Sequence, residues 1–138
     1  IARYVRDHGI TVVNSFNLKT LIVSSAIGLL AGARVRRVHH LISLWEDVTP
    51  AAARVTRTLM GQCDRIVCNG QAVHDRLIGD GPLAGLSVVI PNGVDLDAYA
   101  PDSVRRAAAR ASLGIEEDAY VIGAVANVRP VKNLPMLV

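Results

Sequence analysis

Short apolar runs alternate with longer helical stretches along the first two thirds of the chain. The apolar runs are rich in valine and isoleucine, which is typical of buried strands. We predict four strands, at 10–13, 33–38, 64–68 and 86–90. Helices are predicted between them at 17–31, 49–60 and 71–78, and a further helix at 103–113. Since no hairpin signal joins the strands, the order predicts an α/β fold, a doubly wound, Rossmann-like parallel sheet with flanking helices.

Several residues mark the ends of these elements. Asn17 is suited to capping the helix that follows it, and Gly32 to ending that helix in a left-handed conformation. Pro50 fits the first turn of the next helix. A last apolar run, at 120–126, predicts the first strand of a new sheet beyond a polar, alanine-rich stretch.

Composition excludes several classes of protein. The 138 residues are 51% apolar and 20% charged, the balance of a folded domain rather than a disordered one. The net charge of +3 comes from scattered arginines and aromatics are only 4%, so no nucleic-acid partner is expected. The longest apolar stretch, 21–33, is too short to cross a bilayer. Cys63 and Cys68 fit reduced packing residues of a cytoplasmic protein.

The two ends suggest an excised segment. The chain opens within a helical pattern and closes at Val138, where another helix has barely begun. We therefore expect an internal part of a longer protein. Its predicted organisation is the carboxyl-terminal part of one Rossmann-like domain (1–99), a connector (100–117) and the start of a second Rossmann-like domain (118–138).

The loop 127–133 is the first candidate for chemistry. It carries Arg129 and Lys132 just before a predicted helix N-terminus, and free backbone N–H groups there attract anions. An arginine and a lysine strengthen such a site for a diphosphate. The alternative is a solvated arginine and lysine on an ordinary turn. The glycine spacing of a dinucleotide fingerprint or a P-loop is missing from this loop, which disfavours nicotinamide binding and ATP hydrolysis.

A second candidate is the segment 90–95, Ile-Pro-Asn-Gly-Val-Asp, where Asn92-Gly93 favours a turn with positive φ. This segment resembles the interdomain signature of retaining GT-B glycosyltransferases of the large family 4 (group 1) type. Residues 121–132 are similar to the first strand and phosphate loop of that family's donor domain. Residues 64–67 with Asn69, Ala72 and Val73 resemble its last acceptor-domain strand and helix.

The resemblance implies transfer of a sugar from a nucleotide-diphosphate sugar to a glycan, lipid-linked or small-molecule acceptor. It further implies retention of the anomeric configuration, with no cofactor and no bound metal. Lys132 would neutralise the donor diphosphate, together with Arg129 and Asn127, although family members commonly have arginine at the position of Asn127. Asn92, Gly93 and Asp95 would form the interdomain hinge. Gly70 replaces a serine usual in the family, which leaves Asn69 as the expected helix cap.

His39 and His40 are catalytic candidates, because they lie near a strand end on the ligand side of the sheet. A purely structural histidine is the alternative there. Trp45 is suited to packing, and Glu46 and Asp47 are loop carboxylates with no spacing typical of acid–base work.

The resemblance also allows peripheral membrane contact at the inner face. A basic cluster could bind anionic lipid, although a solvated basic face is the favoured interpretation. The cluster comprises Arg34, Arg36, Arg37, Arg54 and Arg57.

Other functions stay open on the sequence alone. A nucleotide-sugar epimerase or hydrolase of the same architecture is one, and a non-catalytic nucleotide-binding α/β module is another. This segment by itself is expected to be inactive, because the glutamate-bearing stretch that the family uses to hold the donor is not in it. The sugar, the nucleotide base, the acceptor and the oligomeric state do not follow from the residues.

Overall fold

The structure, a computed structural model, describes residues 1–31, 35–44, 48–128 and 130–137. They form two compact units, Ile1–Gly93 and Val94–Val138. The first unit contains helices α1 (Ala2–Asp7), α2 (Leu18–Leu30), α3 (Pro50–Met60) and α4 (Gln71–Leu77). It also contains strands β1 (Val12–Ser15), β2 (Arg36–Leu41), β3 (Arg65–Cys68) and β4 (Ser87–Val89). The second unit contains α5 (Ser103–Leu113) and two short 3₁₀ segments, Pro130–Lys132 and Leu134–Leu137.

The four strands form one sheet in the order β1-β2-β3-β4, and all neighbouring pairs are parallel. The predicted parallel sheet with flanking helices is therefore confirmed. Since each strand lies beside its successor, right-handed crossovers place α2, α3 and α4 on one face of the sheet. The strand order among the described residues does not reverse, so the doubly wound expectation is not met within them.

The core lies between this helical layer and the sheet. Its centre contains seven buried side chains, Leu21, Leu41, Met60, Cys63, Ile66, Cys68 and Ile78. Both cysteines are free, and burial raises the pKa of each thiol. They are packing residues, as predicted. A smaller cluster at the α1 end contains Val5, Ile27, Ala31 and Val35.

The first two strands start later than the apolar pattern predicts. Gly9 has a φ of +60°, and the Ile10 amide donates to the Val5 carbonyl at 2.9 Å. Ile10 therefore belongs to the capping turn that ends α1 rather than to β1. The second strand runs from Arg36 to Leu41 instead of 33–38, which places both histidines inside it.

The helix caps are partly as predicted. Asn17 caps α2, and its side chain accepts from the Thr20 amide at 3.0 Å. Pro50 opens α3 behind a Thr49 cap. The prediction that Asn69 caps α4 is wrong. The cap residue is Gly70, which has no side chain to form a capping hydrogen bond. Gly32, the predicted terminator of α2, lies outside the described residues.

The second unit is built around α5. Asp102 caps its start at 2.9 Å from the Arg105 amide, and Gly114 ends it with a φ of +66°. The predicted strand at 120–126 is wrong for this structure, since these residues are irregular and almost all exposed. A strand needs a hydrogen-bonded neighbour, and the described part of this unit contains no other strand. The assignments of 100–117 and 118–138 to a connector and a donor domain stay predictions.

Candidate functional site

A cavity of about 360 Å³ opens at the carboxyl ends of β1 and β2. The amino-terminal turns of α2 and α3 and the residues just after β2 form its other walls. Ligands of parallel α/β sheets bind at this end of the strands, where loops and helix N-termini converge. The cavity is therefore the candidate site of the first unit.

Two helix N-termini reach this cavity because of local capping chemistry. At α2 the bonds are reciprocal, since Thr20 Oγ1 accepts from the Asn17 amide at 3.1 Å. At α3 the Thr49 hydroxyl accepts from the Ala52 amide at 3.3 Å. Asn17, Thr49 and Ala52 all line the cavity. Unpaired N–H groups of both first turns give this end a positive potential.

His39 lines the cavity from the helix-covered face of the sheet. It is 2% exposed, and its Nδ1 lies 2.9 Å from Ser15 Oγ. Burial, and secondarily the neighbouring His40, lowers the pKa of His39 to about 4, while the contact with the Ser15 backbone acts in the opposite direction. The ring is therefore neutral at physiological pH.

His40 also lines the cavity but has different partners. Its Nε2 lies 3.1 Å from Asn14 Oδ1, and its ring stacks on Phe16 with centroids 4.5 Å apart. Burial lowers the pKa of His40 as well. Successive strand residues point to opposite faces, which explains why two adjacent histidines have separate environments.

Sequence reasoning missed the residues that hold these histidines. Asn14, Ser15 and Phe16 lie at and just beyond the end of β1. The available signal was their position directly after a β-branched run, where a parallel strand ends. Asn69, predicted as a cap, instead donates from Nδ2 to the Ile42 carbonyl at 3.0 Å and so fixes the chain just after β2.

In the same part of the chain, Trp45, Glu46 and Asp47 lie outside the described residues. Their predicted roles are left as predictions.

In the second unit, the Asp95 side chain forms hydrogen bonds with nearby backbone amides. Its Oδ1 accepts from the amides of Asp97 at 3.1 Å and Ala98 at 3.0 Å, which orders the turn that follows. Asn92 and Gly93 are exposed. Positive φ among the described residues occurs only at Gly9, Gly79, Gly114 and Asn133. The positive-φ turn predicted at Asn92-Gly93 is therefore wrong.

The proposed phosphate loop is only partly described. Lys132 ends a 3₁₀ segment and is exposed, and Asn127 lies in an exposed irregular stretch. Arg129 lies outside the described residues. Asn133 adopts a φ of 45°, with its amide 3.0 Å from the Pro130 carbonyl. The diphosphate contacts of Lys132, Arg129 and Asn127 stay a prediction.

The predicted basic cluster is not a set of equivalent cations. Arg37 donates to the Gln62 carbonyl, and its backbone amide donates to Asp64 Oδ2 at 2.8 Å. Its side chain also lies against Gly28, where an added Cβ would be 3.3 Å from Arg37 Cδ. Arg37 thus has a structural role, whereas Arg36 and Arg54 are exposed. Arg34 lies outside the described residues.

Two features of the described residues concern metals and membranes. Nowhere in them do three or more His, Cys, Asp or Glu side chains form a group that could hold a metal ion. Among the same residues, no helix combines the length and apolar character that a membrane crossing requires.

The sequence model of one protein family, Glycosyltransferase Family 4, matches residues 1–98. The chain belongs to glycosyltransferase family 4. The family match covers the whole candidate cavity, because every residue that lines it precedes residue 98. The resemblance to this family seen in the sequence is thereby confirmed for residues 1–98. The likeness of residues 121–132 to a donor domain and the retention of configuration stay predictions.

Curated relatives carry a consistent name. A D-inositol 3-phosphate glycosyltransferase from Kineococcus radiotolerans is 38% identical over 67% of this chain and 22% of its own length. One from Kribbella flavida is 28% identical over 84% of this chain and 30% of its own length. The family 4 chain therefore spans less than a third of these relatives.

Solved structures agree on the fold. Anabaena Alr3699/HepE in complex with UDP-glucose matches with a TM-score of 0.68 and 25% identity, over 82% of this chain and 31% of that one. The same protein with UDP and glucose matches with a TM-score of 0.66 and 24% identity, over 82% of this chain and 32% of that one. The parallel sheet with flanking helices described above is thus shared with these solved structures.

The cavity's chemistry suits a ligand that has uncharged hydroxyl groups and an anionic end. Its polar groups include two helix N-termini, neutral histidines and the hydroxyl of Thr49. It has apolar walls from Phe16, Leu41 and Val48. Apolar walls with a few placed polar groups are typical of small-molecule sites.

Proposed function

We propose that the full-length protein transfers a sugar from a nucleotide-diphosphate sugar to a hydroxylated acceptor. In this proposal the cavity at the ends of β1 and β2 receives the part of a substrate that carries the reacting or neighbouring hydroxyl groups. The observation that carries it is this cavity, which joins His39, His40 and the first turns of α2 and α3 in a family 4 chain. The activity is proposed for the whole protein, because the chain spans only part of its relatives.

The donor class is supported by the relatives and by the sequence. HepE is known in complex with UDP-glucose, which makes a UDP-sugar the first donor to test. Lys132 is the proposed cation for the donor diphosphate, where it would stabilise the charge that builds on the leaving nucleotide. Retention of anomeric configuration and independence from metal are further parts of the proposal.

The acceptor is proposed from the names of the relatives. The relatives from Kineococcus radiotolerans and Kribbella flavida are both named D-inositol 3-phosphate glycosyltransferase. A phosphorylated polyol suits the cavity, since hydroxyl groups can bond to neutral imidazoles and a phosphate to helix N–H groups. A glycan or lipid-linked acceptor is the alternative substrate, and a lipid-linked one would bring the enzyme to the inner face of the membrane.

The test is a product assay with the full-length protein. Purified enzyme is incubated with UDP-glucose and other nucleotide sugars, with and without D-inositol 3-phosphate or a lipid-linked acceptor in vesicles. Mass spectrometry should detect a glycosylated acceptor together with the free nucleoside diphosphate, and chelator should not reduce the yield. NMR of the product should show the anomeric configuration of the donor.

Other outcomes distinguish the alternatives. Free sugar without acceptor glycosylation would indicate a hydrolase, and an altered sugar still attached to the nucleotide would indicate an epimerase. Nucleotide-sugar binding with no chemical change under any acceptor condition would indicate a non-catalytic module.

A further inference from the structure

Ser15 and His39 are register partners on the parallel strands β1 and β2. Ser15 Oγ lies 2.9 Å from His39 Nδ1, and both side chains are almost fully buried, at 1% and 2% exposure. In so protected a contact the geometry is fixed by packing, and water does not compete for the bond. Ser15 Oγ is therefore a fixed hydrogen-bond partner of His39 Nδ1.

The surroundings of Ser15 favour a proton on His39 Nδ1. The Ser15 hydroxyl has an acceptor of its own, the Val38 carbonyl at 3.4 Å. When the hydroxyl donates there, its oxygen is left to accept from the ring. The Ser15 backbone contact raises the pKa of His39, as expected when an oxygen accepts from a protonated ring nitrogen.

A neutral imidazole with its proton on Nδ1 has a lone pair on Nε2. The side-chain hydrogen bond of the His39 ring with Ser15 is made at Nδ1, and His39 lines the cavity. We propose that Ser15 is a positioning residue that holds His39 in the Nδ1–H form, so that Nε2 accepts a hydrogen bond from a substrate hydroxyl. This inference rests on the proposed function, because it concerns the substrate of the same cavity.

The lone pair on His39 Nε2 determines which chemical class of group can bind beside it. A lone pair on a neutral ring accepts from O–H or N–H groups and repels carboxylate and phosphate oxygens. The part of the substrate that contacts His39 is therefore an uncharged sugar or polyol hydroxyl. A phosphate of the same substrate is expected at the helix N-termini instead, away from Nε2.

The tautomer can be measured without any activity assay. In the full-length protein with ¹⁵N-labelled histidine, long-range ¹⁵N–¹H NMR correlations distinguish the Nδ1–H form from the Nε2–H form. We expect His39 in the Nδ1–H form, and a shift towards Nε2–H in Ser15→Ala. The matched control is Ser24→Ala, since Ser24 is equally buried and its Oγ donates to the Leu21 carbonyl at 2.9 Å. An Nε2–H form in the wild type, or identical spectra for both variants, would overturn the proposal.

Steady-state kinetics of the full-length enzyme test whether the His39 tautomer affects the reaction of the substrate. Ser15→Ala should lower kcat/KM by about three- to tenfold, the effect of one misplaced hydrogen bond. Ser15→Thr, which keeps the Oγ, should recover most of this loss, and Ser24→Ala should be near wild type. Equal losses in Ser15→Ala and Ser24→Ala would overturn the proposal. Absence of transfer by the wild type would instead contradict the proposed function, and the NMR result would still decide the tautomer.

Discussion

His39 and Ile66 are register partners on β2 and β3, and the two side chains lie side by side under the helical layer with 2% and 0% exposure. A histidine in a row that continues into the apolar core cannot be protonated without losing the hydration of its charge. This is the physical reason that the pKa of His39 falls to about 4.

We predict from this that the protein loses stability as the pH falls from about 6.5 to about 4. In this window the unfolded chain, with a histidine pKa near 6.5, binds a proton that the folded state does not. The stabilisation from a neutral His39 is fully present above pH 6.5. A shift of about 2.5 pH units corresponds to a loss of roughly 3 kcal/mol in the free energy of unfolding.

The measurement is urea unfolding between pH 7 and pH 4.5 for the wild type and His39→Leu. The variant should show a shallower fall in the free energy of unfolding. His40 contributes in the same direction in both proteins, because burial lowers its pKa too. The difference between the two curves therefore reports His39, and parallel curves would contradict the prediction.

A second prediction concerns the cap of α2. Asn17→Ala removes the acceptor of the Thr20 amide and should lower the free energy of unfolding by about 1 kcal/mol. Asn17→Asp keeps an acceptor at the same place and should cost little, because a negative charge is favourable at a helix N-terminus. Equal losses for the two variants in urea unfolding would show that the side chain acts through packing instead.

The sequence predicts correctly those features that depend on residues close together in the chain. Asn17 and Pro50 mark real helix starts, because capping depends on residues three or four positions apart. The apolar side chain of Ile10 favours a strand. The positive φ of Gly9, however, lets the Ile10 amide close the end of α1.

The arrangement of the site depends on distant pairs and could not be predicted. Ser15 and His39 are 24 positions apart, and their contact requires the register between two strands. Likewise, the sequence alone does not distinguish the role of His39 from that of His40. Only the sheet shows that one faces the helical layer with Ser15 and the other contacts Asn14 and Phe16.

A third prediction tests the end of α5 in the second unit. Gly114 has a φ of +66°, and an added Cβ would meet no atom within 4 Å. Gly114→Ala should therefore cost about 1 kcal/mol through backbone strain alone, with no steric contribution. Gly85→Ala is the matched control, because Gly85 also has open space around its Cβ position but no positive φ. Similar unfolding curves for the two variants would contradict the strain argument.

The last prediction concerns Lys132, which is exposed at the end of its 3₁₀ segment. If its ammonium neutralises the donor diphosphate, Lys132→Ala in the full-length enzyme should lower kcat by about 100-fold, because the charge on the leaving nucleotide is greatest in the transition state. Lys132→Arg keeps the charge and should retain a larger part of the activity, although a planar guanidinium does not reproduce a point charge. Arg3→Ala is the matched control, since Arg3 is an exposed cation on α1 and does not line the cavity.

Steady-state assays over donor concentration separate the two ways in which Lys132 could act. A rise in the donor KM with an unchanged kcat would mean that the lysine contributes only to ground-state binding. Transition-state stabilisation would be supported if Lys132→Ala lowers kcat with the normal donor but not with a donor analogue whose leaving group carries less negative charge. Lys132→Ala with the same kcat and KM as Arg3→Ala would remove Lys132 from the donor site, and the phosphate-binding role of the loop 127–133 would then be wrong.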